Sequence, residues 1–169
     1  MNMEGDGGQN AARSAAVLCA RRGSGPGGRG NLSLLAFSTE GGSLERLSSG
    51  SPFEPVVGYS RAVRAGNVIE IAGTVATDEN GKAVAVGDPY QQTLFVLRKI
   101  LDYVARAGGK PEAVVRTRMF VTDISMWKEI GRAHGEVFGA IRPVTTMVEV
   151  KALIASEYLV EIEATAVIE

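Results

Sequence analysis

The chain has 169 residues, with 18 Lys plus Arg against 19 Asp plus Glu and a formal net charge of −1. That length suits one domain with a buried core, and the near-balance of charge leaves no electrostatic footprint for nucleic acid. No apolar run approaches the roughly 20 residues of a membrane span. His134 is the one histidine and no Cys/His cluster has zinc spacing, so no metal site is expected. The lone Cys19 cannot form an internal disulfide and fits a reducing, cytoplasmic compartment.

Residues 1–50 form a Gly/Ser/Arg-rich extension, as in Arg21-Arg22-Gly23-Ser24-Gly25-Pro26-Gly27-Gly28-Arg29-Gly30, and residues 51–169 form the folded domain. Such a composition buries too little apolar surface to offset chain entropy, so the extension is expected to be disordered. Three readings of it compete. It is a plain extension, read from an upstream start codon, or an organelle transit peptide, or a secretory signal. Glu4 and Asp6 count against the second, and the short apolar run Ala15–Ala20 counts against the third.

The fold is expected to start near Phe53. Tyr59 to Ala65 reads as a strand, Ala65-Gly66-Asn67 as a tight turn, and Val68 to Val75 as the antiparallel partner. After a turn-rich break at Asp78-Glu79-Asn80-Gly81, a helix should begin with Asp88 as N-cap and Pro89 in its first turn. Leu94, Leu97, Leu101 and Val104 make its apolar stripe, and Gly108-Gly109 stops it. Val114 to Thr122 is a third strand. A second helix runs from about Met126 to Ala140, capped by Ser125 or Asp123, with Trp127, Ile130, His134, Val137 and Phe138 as candidates for its buried side. Pro143 ends that region and two strands close the chain. In the last, Glu161, Glu163 and Thr165 share one face and Val160, Ile162, Ala164 and Ala166 the other. The order is β-β-α-β-α-β-β, an α+β class. Two helices cover one face of one sheet, and the other face needs a partner, so self-association is expected.

Several stretches carry a resemblance: Val57-Gly58-Tyr59, Gly66-Asn67-Val68-Ile69-Glu70-Ile71-Ala72-Gly73, Arg118-Met119-Phe120-Val121-Thr122-Asp123, Arg142 to Val150, and Val160-Glu161-Ile162-Glu163-Ala164. In order and spacing, from about Pro52 to Glu169, they resemble the YjgF/RidA family of reactive-intermediate deaminases, also labelled endoribonuclease L-PSP. The resemblance implies a chorismate-mutase-like fold, with one mainly antiparallel sheet assembling as a homotrimer around a central barrel. It implies small-molecule clefts between subunits, and hydrolysis of enamines or imines to 2-oxo acids and ammonia without metal or cofactor. It also implies site roles. Tyr59 lines the cleft, Gly73 lets the backbone approach a ligand, and Glu161 positions the water.

The chain departs from the active pattern at one place. The deaminase subgroup has Arg-Ser-Cys before Val-Glu-Val, and this chain has Thr145-Thr146-Met147. A threonine hydroxyl offers no charge and no bidentate fork for a carboxylate. Gly131 aligns with a helix asparagine of that subgroup. Arg142 is the nearest replacement clamp in sequence, with Arg116, Arg118, Arg61 and Arg64 further off.

Each candidate has a plainer reading. Tyr59 is a rim or core aromatic, Glu161 a solvated strand carboxylate, and Arg142 a charge at a helix C-terminus. Arg116 and Arg118 are salt-bridge partners, and His134 is a packed side chain. Four functions follow: an imine or enamine deaminase of altered specificity acting on a small carboxylate, a non-catalytic metabolite-binding trimer, a ribonuclease, and a chorismate mutase. The charge balance disfavours the third, and only fold analogy supports the fourth.

Overall fold

The computed structural model describes residues 44–169. The expected extension, with Cys19, lies almost wholly outside the described residues. Strands are β1 Leu44–Leu47, β2 Ala62–Ala65, β3 Val68–Thr74, β4 Val114–Val121, β5 Val144–Glu149 and β6 Val160–Val167. Helices are α1 Phe53–Val57, α2 Pro89–Arg106 and α3 Trp127–Phe138. β1 and α1 thus precede the seven expected elements, and β1 lies ahead of the expected start near Phe53. Among the described residues no helix is long and apolar enough to cross a membrane.

The strands form one sheet in the order β1-β2-β3-β6-β4-β5. Every pairing is antiparallel except β4 with β5. The final two strands are therefore not neighbours, because β4 lies between them. Gly66, at φ 61° in the two-residue β2–β3 turn, supplies the positive φ that such a hairpin needs.

The two long helices pack on one face. Asp88 accepts from the Gln91 N–H at 2.9 Å, as expected of the N-cap of α2. Leu94, Leu97 and Val104 of α2 are buried, as are Val96, Ile100 and Tyr103. Beneath them lie Ile69, Ile71, Met119, Val121, Val160, Ile162, Ala164 and Ala166. α3 adds Ile130, Ala133 and Phe138, but Trp127 is 54% exposed, because it stands at the helix start beyond the edge of this core. Asp123 caps the short 3-10 turn before α3 by accepting from the Ser125 N–H at 2.8 Å.

Two irregularities shape the sheet. Ile71 pairs with Ala164 and Thr74 with Ile162, so Ala72 and Gly73 together face Glu163 in a bulge. Val115 is the extra residue of a second bulge, in β4. Gln92, fully buried on α2, donates to Glu157 O and accepts from the Leu159 N–H, both at 2.8 Å. It therefore fixes the segment that leads into β6. Gln92→Leu keeps the bulk but leaves these two backbone groups unpaired. Urea denaturation should show a loss of about 2–3 kcal/mol.

Candidate functional site

The bulge in β3 creates the first half of the site. It turns the Gly73 backbone toward β6, where Glu161 rises from the sheet face opposite the helices. A Cβ built at Gly73 would overlap the Glu161 Oε1 and lie 3.0 Å from its Cδ. Only glycine permits this approach. Arg61 holds the bulge from behind. Its Nη1 donates to Gly73 O at 2.6 Å and to Thr74 Oγ1 at 3.2 Å, and its Nη2 donates to the Tyr59 hydroxyl at 3.1 Å. The guanidinium also lies 5.4 Å from the Tyr59 ring centroid. Tyr59, Gly73 and Glu161 are therefore brought together, joined by Arg61.

Glu161 is half-buried. Burial pushes its carboxyl above the ordinary carboxylate value, Arg61 opposes the shift, and Glu163 adds to it by like charge.

The second group lies on the edge strand. Thr145 pairs with Thr117 across the parallel β4–β5 ladder. Their hydroxyl oxygens are 2.8 Å apart, and His134 Nε2 lies 2.9 Å from Thr117 Oγ1 and 3.4 Å from Thr145 Oγ1. Burial pushes the imidazole below its usual value, so His134 is neutral at pH 7. Thr146 points to the opposite face of β5, and Met147 packs toward the core. Arg142 has φ 57° and closes the turn that follows α3, with its N–H on Phe138 O at 2.7 Å and its Nε on Gly139 O at 3.2 Å. That is the helix-end position of its plainer reading. Within one protomer this group is separate from Glu161, because β4 lies between β5 and β6 and the strands are spaced so that about 10 Å separates them.

On the uncovered face, Arg118 of β4 pairs with Glu163 of β6, and Thr165 donates to Glu70 at 2.9 Å. With Arg116 these residues line a shallow groove of about 240 Å³.

The family model described as Endoribonuclease L-PSP matches residues 50–168. The chain belongs to that family. A member of the YjgF/YER057c/UK114 family from Mycobacterium tuberculosis is 50% identical, covering 75% of this chain and 100% of that one, with a TM-score of 0.68. The YjgF gene product of Escherichia coli is 28% identical, covering 66% of this chain and 88% of that one, with a TM-score of 0.60. The 3-aminoacrylate deaminase RutC of Acinetobacter baylyi is 32% identical over 120 residues, 71% of this chain and 94% of that protein. The architecture is the expected chorismate-mutase-like α+β fold.

Two parts of the site lay beyond the sequence reading. Arg61 was only one of several spare arginines, although its spacing two residues from Tyr59 puts both on one side of an extended segment. Thr117 gave no signal at all, since a threonine in a strand is ordinary.

Gly73→Ala should drive the Glu161 carboxylate outward into water. Its titration, followed by carboxyl NMR, should return toward the ordinary value of 4.5, with the fold intact. Stability tests the same burial. The raised pKa means that the folded state holds the proton more tightly than the unfolded chain. Ionised Glu161 therefore costs stability above its folded pKa, and the cost vanishes below the unfolded value. Glu161→Gln should raise Tm by a few degrees near neutral pH, and the gain should shrink as the pH falls to the ordinary carboxylate value.

Proposed function

We propose that this protein hydrolyses reactive enamine or imine intermediates of small carboxylates to 2-oxo acids and ammonia, in clefts between the subunits of a homotrimer. The observation that carries the reading is the half-buried Glu161 carboxyl, with its raised pKa, set against the Cβ-free backbone of Gly73. The family relative named for 3-aminoacrylate deamination supports it.

An enamine first gains a proton on carbon and loses one from nitrogen, which makes it an imine. Water oxygen then bonds the imine carbon as the C=N electron pair moves to nitrogen. Glu161 accepts the proton that the water sheds and returns it to nitrogen. The hydroxyl proton then passes to nitrogen, the C–N bond breaks with its electron pair going to nitrogen as the C=O forms, and ammonia leaves. Tyr59 and Arg61 hold the glycine bulge on one wall.

The trimer draws its support from the uncovered sheet face. Val115, Val144 and Val148 are exposed there or at its edge, among Arg116, Arg118, Glu70 and Glu163. In the proposed assembly the edge strand of one copy brings Thr145, Thr146, Met147 and Arg142 to the Glu161 wall of the next, to grip the substrate carboxylate. A cytoplasmic setting belongs to the same proposal.

A second reading, a metabolite-binding trimer without turnover, is favoured by one observation: Thr145 supplies a hydroxyl where the active subgroup has a charged clamp. Ammonia and 2-oxo-acid release from imines made in situ by amino-acid oxidases separates the two. The deaminase reading expects turnover across part of a side-chain panel, about 10²–10⁴-fold lower in Glu161→Gln, and about 100-fold lower in Gly73→Ala through misplacement of the carboxylate. A further loss in Arg142→Ala would assign Arg142 as a replacement clamp. No turnover by an intact trimer, with saturable 2-oxobutyrate binding, would establish the binder.

A further inference from the structure

The hydroxyl–imidazole cluster on β4, β5 and α3 is more specific than packing requires. Thr117 is fully buried, and its hydroxyl has two polar atoms within reach, His134 Nε2 at 2.9 Å and Thr145 Oγ1 at 2.8 Å. Thr145 lies at the exposed end of this chain and also reaches Pro143 O at 3.3 Å. Each hydroxyl carries one proton, and neutral imidazole carries one on either nitrogen.

The two tautomers give opposite results. With the proton on Nε2, His134 donates to Thr117, Thr117 donates to Thr145, and the Thr145 proton is left for the distant Pro143 O at 3.3 Å or for an acceptor outside. With the proton on Nδ1, Thr117 donates to Nε2, Thr145 donates inward to Thr117, and only lone pairs face out. One buried tautomer therefore decides whether the edge strand offers a donor or an acceptor.

We infer that His134 is a positioning residue which, held as the Nε2–H tautomer and acting through Thr117, makes Thr145 an outward hydrogen-bond donor for an acceptor atom of the ligand, such as a carboxylate or oxo oxygen. This rests on the cleft proposed above and adds the device that sets its polarity at Thr145. A neutral donor of this kind makes one bond instead of two, so it fixes the ligand's orientation less strictly than a bidentate guanidinium. The same cluster explains why a histidine is tolerated against Phe138, whose ring centroid is 5.0 Å away: the ring nitrogen is satisfied by a buried hydroxyl.

Because the chain contains one histidine, ¹⁵N-histidine NMR of the full-length protein reads this group without ambiguity. In the parent, His134 Nε2 should show the protonated, pyrrole-type shift, and saturating 2-oxobutyrate should move it. Thr117→Val, which keeps the shape and removes the hydroxyl, should weaken 2-oxobutyrate binding about 3- to 10-fold and silence the response at His134. Thr117→Ser should restore both. The inference is overturned by an unprotonated Nε2, by 2-oxobutyrate failing to bind, by a His134 signal indifferent to bound 2-oxobutyrate, or by unchanged affinity in Thr117→Val. If 2-oxobutyrate binds and moves His134 but no imine is turned over, the deaminase reading fails alone. If turnover is present and His134 is indifferent, this inference fails alone.

Discussion

The site depends on one close approach, that of the Glu161 carboxylate to the backbone of Gly73. It needs three things at once: a residue without Cβ, a bulge that turns that residue toward β6, and a cation that satisfies the carbonyls the bulge frees. Arg61 supplies the third through Gly73 O and Thr74 Oγ1. Guanidinium suits the task because its planar fork can hold two carbonyl or hydroxyl oxygens and still reach the Tyr59 hydroxyl. Its positive charge also tempers the carboxyl that burial would otherwise drive further up. Burial and the nearby cation act on Glu161 in opposite directions, and burial prevails, so the carboxyl stays above its ordinary value.

The distribution of side chains over the two sheet faces explains why the site is where it is. α2 and α3 bury one face under an apolar core, so any polar group there must be paired internally. Thr117, His134 and Thr145 meet that condition by bonding one another. The opposite face carries alternating charges, with Arg118 on Glu163 and Thr165 on Glu70, interrupted by exposed valines. A face of mixed charge and apolar side chains, next to an edge strand, is suited to another sheet of the same kind.

Much of this was legible in the chain itself. The period-2 alternation of Val160 to Ala166 assigned each β6 residue to its face, because a strand permits no other alternation. Asp88-Pro89 marked the start of α2, since both residues suit the first turn for local reasons. A large aromatic at helical spacing reads as core, yet Trp127 is the first residue of α3 and stays exposed. β1 escaped because Leu44–Leu47 is short and follows a Gly/Ser/Arg-rich stretch. Its strand character comes from pairing with β2 rather than from its own residues.

The sequence by itself determined the strands from β2 to β6, the two long helices and the family, and it singled out Tyr59, Gly73 and Glu161 as candidates, because each rests on local pattern or on a motif in order. Tertiary structure alone decided that β4 separates β5 from β6, that Arg61 and not another arginine supports Gly73, and that His134 reaches Thr145 through Thr117. These are contacts between residues far apart in the chain. Their partners are chosen by strand order and register, which no window of sequence contains.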